Sequence, residues 1–356
     1  MRDLRVLVVD DSAANRRTLA GMLESQPGVH IVGSARDGDE ALRLALTLEP
    51  DLVTLDLEMP KMDGFTFLRL LMASKPIPVV VISSHSAKDQ VFRALELGAI
   101  DFIAKPEASI GSTPATDPLK REIDRVLDMV RQLSPAGMRD RKATRVPTSQ
   151  PVAARSQRPE PVVPVLPNRV VAIAASTGGP TALMELFAAL PRTGTGTIVV
   201  AQHMPERFTR TFAERLDKQG SFRVREAEHG FELTPRGALV CPGGRAIEVE
   251  RRDQRYMARV VRPAAADRYA PSADRLFSSV ARVVGERAVG VVLTGMGDDA
   301  AAGVVELKRA GALVLAESEA TAVVYGMPKV AAQTGCVDEV LPLAALIARV
   351  KEIVST

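Results

Sequence analysis

The sequence predicts an α/β protein built from two doubly wound parallel-sheet domains. Short apolar runs, several rich in Val and Ile, alternate with amphipathic stretches over residues 4–133, and a second alternation starts at Arg169. Runs of this length are too short for helices, and their continuous apolar character is typical of parallel strands covered on both faces. The segment between the two patterns holds seven prolines and almost no periodicity, which predicts a semi-stiff linker. We therefore expect domains at 1–133 and 169–356, joined by a Pro/Arg-rich linker at 134–168.

The first domain is predicted to contain strands and helices in strict alternation. The apolar runs predict strands at 4–9, 29–33, 51–55, 79–82 and 101–103. The amphipathic stretches predict helices at 13–25, 38–48, 64–74, 87–98 and 118–133. Ser12 is a plausible N-cap for the first of these helices. Such alternation predicts a parallel sheet with helices on both faces.

The second domain repeats the pattern with one interruption. Strands are predicted at 170–175, 197–201 and 288–293, with a further candidate at 312–316. Helices are predicted at 180–190, 206–217, 273–284, 300–310 and 342–354. Residues 222–261 break the rhythm with Gly/Pro turns and alternating polar and apolar residues. We expect this stretch to form an antiparallel insertion.

Composition limits the classes of function. The chain carries a formal net charge of +3, but residues 134–168 hold six Lys/Arg against two acidic residues, so the basic character lies in the linker. This segment is either a solvated linker or a contact for an acidic partner surface. Two distant cysteines without metal-ligand spacing, and a start without the features of a secretory signal, predict a protein of the reducing cytoplasm. No apolar run approaches the roughly 18 residues that a membrane helix needs, so no membrane insertion is expected.

Acidic residues follow the predicted strands of the first domain. Asp10 and Asp11 end the first strand, Asp56 ends the third, Ser83 ends the fourth and Lys105 follows the fifth. The carboxyl ends of parallel strands share one edge of the sheet, so these side chains should converge. Clustered carboxylates repel one another, and Mg²⁺, which prefers oxygen ligands, would neutralise them and hold a phosphoryl oxygen. Any one of these acids alone is more simply a helix cap; the set predicts a phosphorylation site.

A nucleophile turn is predicted at the start of the second domain. In the segment VVAIAASTGGPTAL, a buried strand ends at Ser176 and glycines lead into a helix opened by Pro180. Ser176 should therefore stand at a strand-to-helix corner at the carboxyl edge of the sheet. Helix N-terminal N–H groups near Thr177 and Gly178 could receive an oxyanion there. The alternative for such a turn is a phosphate-binding loop.

A base and an orienting acid are predicted at two further strand ends. The chain has four histidines, and only His203, in TIVVAQHMP, follows a buried strand of the second domain. Asp298 and Asp299 follow the predicted strand 288–293. Alone, the histidine is a satisfied polar group and the acids are N-caps. Together with Ser176 they predict a Ser-His-Asp triad, in which Asp299 is preferred over Asp298 as the orienter.

The first domain resembles response-regulator receiver domains. The double aspartate, DLEMPKMDG around Asp56 and GAIDFIAKP ending at Lys105 carry the resemblance. It implies a flavodoxin-like receiver that is phosphorylated at Asp56 by a histidine kinase. It also implies a Mg²⁺ site formed by Asp10, Asp11, Asp56 and the main chain of Glu58. Ser83 and Lys105 would bind the phosphoryl group, although the adjacent Ser84 leaves the choice of hydroxyl open.

The second domain resembles the catalytic domain of the chemotaxis protein-glutamate methylesterase/glutamine deamidase (CheB) family. The motifs are ASTGGP, AQHMP, RYAPSADRLF, LTGMGDDAAAG and VYGMPK. The resemblance implies an α/β methylesterase domain with Ser176 as nucleophile, His203 as base, Asp299 as orienter and Met296 near the oxyanion site. It implies hydrolysis of glutamate methyl esters on chemoreceptor cytoplasmic domains, with release of methanol, and deamidation of specific receptor glutamines, in chemosensory adaptation. No cofactor is expected for the esterase reaction.

The chain departs from the family pattern at three places. Ala174 replaces a common Gly, Asp298 replaces a usual Asn, and the linker is longer and more basic than typical. The second departure makes the choice between Asp298 and Asp299 less secure. Two other hypotheses remain: a receiver-controlled protein that only docks on receptors, and a DNA-binding regulator. A DNA-binding regulator would need a short helix-turn-helix domain or a basic recognition helix. The sequence has neither, so no nucleic-acid partner is expected.

Overall fold

The computed structural model describes four stretches of the chain: 2–83, 88–105, 118–133 and 166–356. The chain divides into two compact units, and the division falls between Thr144 and Arg145. This position lies within the predicted linker, most of which is outside the described residues. The domain boundaries at 133 and 169 therefore remain predictions.

The first unit contains a five-stranded parallel sheet. Its strands are β1 Leu4–Val9, β2 Val29–Ala35, β3 Leu52–Leu55, β4 Val79–Ser83 and β5 Asp101–Ala104. Its helices are α1 Ala13–Glu24, α2 Gly38–Leu48, α3 Gly64–Ser74, α4 Lys88–Glu96 and α5 Pro118–Arg131. The strand order is β2-β1-β3-β4-β5, and every residue of β3 and β4 is buried. The predicted parallel sheet with covered faces is confirmed.

Three helices of the first unit, α1, α2 and α3, begin after a capping side chain. Ser12 accepts a hydrogen bond from the Asn15 N–H, as predicted for the first helix. Asp37 and Asp63 cap α2 and α3 in the same way. Each cap satisfies an N–H group that the helix itself leaves without a partner. The helices therefore start close to the strand ends, where the acidic residues lie.

The second unit contains a seven-stranded sheet and a separate two-stranded one. Its strands are β6 Val170–Ala175, β7 Thr197–Gln202, β8 Arg223–Glu226, β9 Gly237–Val240, β10 Ala246–Arg252, β11 Arg255–Val261, β12 Ala288–Val292, β13 Leu313–Glu317 and β14 Glu339–Leu341. Its helices are α6 Gly179–Ala189, α7 Glu206–Gln219, α8 Ala273–Val284, α9 Ala301–Arg309, α10 Met327–Gln333 and α11 Leu343–Ser355, with a 3₁₀ turn at Gly285–Arg287. The large sheet has the order β14-β13-β12-β6-β7-β9-β8. Within the described residues, no helix has the length and apolar character to cross a membrane.

The antiparallel insertion is present but shorter than predicted. β10 and β11 pair antiparallel across a tight turn that has Asp253 at a φ of +53°. β8 and β9, which lie in the same predicted insertion, instead join the large sheet in parallel. The physical reason is the connection between them, because residues 227–236 are long enough to return the chain to the other end of the sheet. A hairpin would have needed only a few residues.

Each large sheet reverses its winding direction at one point. In the first unit the chain leaves β1 for β2 on one side and β3 for β4 on the other. In the second unit it leaves β6 for β7 on one side and β12 for β13 on the other. The loops that follow these neighbouring strands diverge and leave a crevice, where ligands of α/β proteins bind. The predicted site residues lie at the ends of β1, β3, β4 and β5 in one unit, and at the ends of β6, β7 and β12 in the other.

Candidate functional site

Ser176 lies in the turn between β6 and α6. Its backbone N–H donates to the Thr294 carbonyl at 3.1 Å, and its carbonyl accepts from the Gly179 N–H at 2.9 Å. Gly178 has a φ of +78°, and a Cβ there would lie 2.8 Å from Val323. The turn therefore requires glycine at this position. It leaves the Ser176 side chain half-buried at the carboxyl edge of the sheet.

The loop after β12 packs directly against this turn. The Thr294 hydroxyl donates to the Thr177 carbonyl at 2.9 Å and accepts from the Val324 N–H at 3.0 Å. A Cβ on Gly295 would lie 2.7 Å from the Ser176 Cβ. Backbone contacts from two separate segments thus fix the conformation around the serine.

His203 follows β7, the strand that pairs with β6. Its backbone N–H donates to the Ala175 carbonyl at 2.9 Å, so the positions of Ser176 and His203 are set by adjacent strand ends. The imidazole is 17% exposed, and its Nε2 lies 2.8 Å from Asp299 Oδ2. The other ring nitrogen, Nδ1, takes no part in this contact. Within the described residues no hydrogen bond joins the Ser176 and His203 side chains directly, and such contacts commonly tighten only with substrate bound.

Asp299 is buried and held at the start of α8. Its Oδ2 accepts from the Ala273 N–H at 2.7 Å, and its Oδ1 accepts from the Asp274 N–H at 3.0 Å and the Ala300 N–H at 3.1 Å. Ala273 and Asp274 open the helix, so the carboxylate meets N–H groups and the positive end of the helix dipole. This environment stabilises the negative charge beside the imidazole.

Asp298 faces a different pair of side chains. Its Oδ1 accepts from the Tyr269 hydroxyl at 2.8 Å, and its Oδ2 lies 2.9 Å from the Arg268 guanidinium. The hydrogen bond from Tyr269, and to a smaller extent that from Arg268, holds the pKa of Asp298 below its usual range. Of the two adjacent acids, Asp299 is the one that contacts His203. Its role as the orienter remains a prediction.

The predicted oxyanion residues lie on both sides of the crevice. Thr177 and Gly178 form the turn after β6, and Met296 follows Gly295 in the loop after β12. Thr177 is buried, while Met296 is half-buried. The fold therefore brings Met296 to the same edge of the sheet as Ser176. Its position beside an oxyanion remains a prediction.

Gln202 is a residue to which the sequence analysis assigned no role. Its side chain is buried, and its Nε2 donates to the Ser176 carbonyl at 2.8 Å and to the His203 carbonyl at 3.0 Å. A Cβ on Gly179 would lie 2.2 Å from Gln202 Oε1, so the amide fills the space that this glycine leaves. One amide thus ties the two turns together. The available signal was a polar residue at the end of an otherwise apolar strand.

The acidic residues of the first unit converge as predicted. Asp10, Asp11 and Asp56 offer one carboxylate oxygen each, and these oxygens all lie within 4.8 Å of one another. Asp10 is buried, Asp56 is half-buried and Asp11 is exposed to solvent. Three hard oxygen donors at this spacing fit a divalent cation such as Mg²⁺, which would keep several waters as further ligands. Glu58 lies beside them, with its N–H donating to Asp56 Oδ1 at 3.3 Å.

Lys105 reaches into the acidic pocket. Its Nζ lies 3.0 Å from Asp10 Oδ2 and 2.5 Å from Asp56 Oδ2. Burial lowers the pKa of Lys105, but the hydrogen bond and charge of Asp56, together with Asp10, outweigh it and raise the pKa overall. Burial and the nearby Asp10 charge raise the pKa of Asp56 against the opposing effect of Lys105. The pocket therefore favours added positive charge.

Ser83 completes the group at this sheet edge. It is the last residue of β4 and is buried, and its carbonyl accepts from the Lys105 N–H at 2.8 Å. Ser84, the other hydroxyl considered, lies outside the described residues. The structure thus places Ser83 and Lys105 on neighbouring strand ends, and their phosphoryl-binding role remains a prediction.

Comparison with known proteins assigns both halves of the chain. Residues 171–350 match the model of the CheB methylesterase family, and residues 6–110 match that of the response regulator receiver domain. Protein-glutamate methylesterase/protein-glutamine glutaminase 3 of Geobacter sulfurreducens is 47% identical, covering 96% of this chain and 95% of the relative. The corresponding protein 6 of Anaeromyxobacter dehalogenans is 48% identical, covering 99% of this chain and 96% of the relative.

A solved structure supports the same assignment for the second half. The CheB methylesterase catalytic domain of Thermotoga maritima is 33% identical, with a TM-score of 0.51. The match covers 52% of this chain and 98% of that domain. The relatives share nearly the full length, and the two family models cover the two units in order. The chain therefore belongs to the CheB methylesterase family, with a response regulator receiver domain preceding the methylesterase domain.

Proposed function

We propose that this chain is a phosphorylation-regulated hydrolase that removes methyl groups from glutamate methyl esters on chemoreceptors and deamidates specific receptor glutamines. The observation that carries the proposal is the arrangement of Ser176, His203 and Asp299 on three strand ends around the crevice. The full-length relatives carry names for both activities. The proposed site of action is the cytoplasm, where the receptor signalling domains would be accessible.

Ester hydrolysis follows from the three side chains. Ser176 Oγ attacks the ester carbonyl and passes its proton to the imidazole of His203, while the Asp299 carboxylate stabilises the resulting imidazolium. The tetrahedral oxyanion would be bound by N–H groups near Thr177 and Gly178. It then collapses, and the imidazolium protonates the departing methoxide to give methanol and an acyl-enzyme. Water, deprotonated by His203, attacks the acyl-enzyme and releases the glutamate carboxylate together with the regenerated serine.

Glutamine deamidation uses the same steps with a different leaving group. The serine attacks the side-chain amide, and ammonia departs after protonation by the imidazolium. Both reactions converge on the same acyl-enzyme, so one triad serves both substrates. The product is in each case a glutamate side chain.

Regulation is proposed to act through the acidic pocket. Asp56 would accept a phosphoryl group from a histidine kinase, and Lys105 and Ser83 would bind the phosphoryl oxygens. Asp10, Asp11, Asp56 and the Glu58 main chain would hold Mg²⁺, which neutralises charge during the transfer. The geometry that supports this is the carboxylate spacing together with the position of Lys105 Nζ.

Methanol release from methylated receptor preparations tests the proposed reaction directly. We expect the full-length chain to release methanol and Ser176→Ala to lose at least about a thousandfold of that rate, because only the attacking oxygen is removed. Thermal unfolding of the variant should match that of the wild type.

A fluorophosphonate probe separates the enzyme from a protein that only docks on receptors. The probe should label wild type at Ser176 and leave Ser176→Ala unlabelled. A folded Ser176→Ala variant with more than roughly a tenth of wild-type methanol release would contradict the triad assignment.

A further inference from the structure

Tyr269 lies face to face with the imidazole of His203. The two ring centroids are 5.0 Å apart, and the ring planes differ by 7°. Tyr269 belongs to the loop that precedes α8, so it approaches the site from a segment separate from the strand ends that carry the triad. It is half-buried, with one face against the imidazole.

The Tyr269 ring is itself held in place at its hydroxyl end. The hydroxyl donates to Asp298 Oδ1, and Arg268 pairs with the other oxygen of the same carboxylate. The Arg268 guanidinium also lies over the tyrosine ring, 5.5 Å from its centroid. A Cβ on Gly297 would lie 2.6 Å from the phenol oxygen, so glycine at that position leaves the space the hydroxyl occupies.

The protonation states suit this arrangement. Burial, together with the hydrogen bond to Asp298, raises the pKa of the Tyr269 phenol, so it remains a donor at neutral pH. Asp298, with its pKa lowered by Tyr269 and Arg268, remains a charged acceptor. Hydrogen bonds to a charged acceptor are stronger than those between neutral groups.

The stacked tyrosine ring restrains a rotation of the His203 imidazole that the hydrogen bond to Asp299 still allows. The contact between Nε2 and Asp299 fixes one edge of the imidazole, but the ring can still rotate about that contact. Such rotation would change the direction in which the second ring nitrogen points. A parallel ring against the imidazole face opposes the rotation, because stacked aromatic pairs attract each other beyond the effect of the area they bury.

We propose that Tyr269, held by Asp298 and Arg268, is a positioning residue that fixes the plane of the His203 imidazole so that its second ring nitrogen faces Ser176. This inference rests on the proposed roles of Ser176, His203 and Asp299. It assigns to Asp298 a function distinct from that of its neighbour, namely to hold the tyrosine ring.

Two replacements of Tyr269 in the full-length chain test the proposal. Tyr269→Leu removes the ring, whereas Tyr269→Phe keeps the ring and removes the hydroxyl. We expect Tyr269→Leu to lower kcat for methanol release by about tenfold or more with little change in KM, because a misplaced base slows the chemical step. Tyr269→Phe should stay within about threefold of wild type. The rate constant for fluorophosphonate labelling of Ser176 should fall in the same order.

The labelling measurement needs no receptor, so it separates this inference from the proposed substrate. Tyr269→Leu labelled as fast as wild type would overturn the positioning role, whether or not wild type releases methanol. Equal losses in the Phe and Leu variants, with a matching fall in Tm, would also overturn it, because they would indicate a purely structural role. If wild type is labelled but releases no methanol, the proposed substrate is wrong. The order of the labelling rate constants still tests the role of Tyr269 in that case.

Discussion

Asp298 and Asp299 are adjacent in sequence but their side chains serve different neighbours. Asp299 accepts three backbone N–H groups and contacts His203, which uses about all the lone-pair positions that a carboxylate offers. Asp298 is partly exposed and binds Tyr269 and Arg268. The carboxylate at position 298 therefore forms an ion pair with Arg268 at the rim of the site.

The two acids should respond differently to the same substitution. Asp299→Asn should lower kcat/KM by about a hundredfold or more, because an amide no longer stabilises the imidazolium and favours the wrong tautomer. Asp298→Asn should stay within about fivefold of wild type, since the amide oxygen still accepts from the Tyr269 hydroxyl. Methanol release measured on both full-length variants gives the comparison. Equal losses, or a larger loss at Asp298, would reassign the orienter.

Single residues were predictable where their position in the chain carried the signal. Ser176 and His203 each follow a buried strand, and parallel strands bring such residues to one edge. Gln202 and Tyr269 were not predicted, because their importance comes from contacts with segments distant in sequence. Periodicity does not encode such contacts. The motifs AQHMP and RYAPSADRLF contained both residues without indicating what either side chain touches.

At the scale of elements, the helices were predicted to within two residues at most ends. The misses have separate physical causes. β8 and β9 were assigned to an antiparallel insertion, because alternating burial does not reveal which strand pairs with which. α10 and β14 are too short for a periodic signal, with seven and three residues. The type of most elements could therefore be predicted from the sequence. Which strands pair with each other depended on the length of the connections between them.

The junction between β10 and α8 supplies a prediction about pH. Glu248 on β10 accepts from Arg275 on α8 and from Arg259 on β11. Burial would raise the pKa of Glu248, but the hydrogen bonds from Arg275 and Arg259 outweigh it and lower the pKa below the ordinary value of 4.5. A depressed folded-state pKa contributes stability above the unfolded value, and this stability is lost as pH falls through the folded value.

Glu248→Gln should therefore reduce the free energy of unfolding by about 1–3 kcal/mol at neutral pH. The difference from wild type should shrink as the pH falls below the ordinary pKa of 4.5. Denaturant titrations at several pH values measure it. Glu250→Gln on the same strand, whose partner Arg252 is exposed, is the matched control and should change stability by less than about 1 kcal/mol. A difference that persists undiminished in acid would attribute the effect to packing instead of charge.

At the scale of the whole molecule, both units place their chemistry at the point where the winding of the sheet reverses. The loops after β1 and β3 carry Asp10, Asp11 and Asp56 in one unit, and the loops after β6 and β12 carry Ser176 and Asp299 in the other. In the first unit this crevice holds clustered carboxylates suited to a cation. In the second unit the corresponding crevice holds the Ser176 hydroxyl and the His203 imidazole. Architecture fixes the location of each site, and the residues at the strand ends fix its reaction.

The link between the two sites can be measured in the intact chain. Asp56→Asn should bring the ratio of methanol release with and without acetyl phosphate to about one, because the phosphoryl group and its charge of about −1.5 to −2 can no longer be added. Removal of Mg²⁺ with a chelator should have the same effect on wild type. Asp39→Asn, an exposed acid on α2, is the control and should respond like wild type. Stimulation that survives in Asp56→Asn would exclude Asp56 as the acceptor.

The close contact between Gly295 and Ser176 limits how this enzyme can be redesigned. Any side chain at position 295 would displace the serine, and at position 178 it would meet Val323 in a strained backbone conformation. Libraries that vary these positions should yield mostly inactive protein, whatever ester is offered. Met296 is more exposed and carries no such restriction. Directed evolution towards other acyl groups has its accessible starting point there.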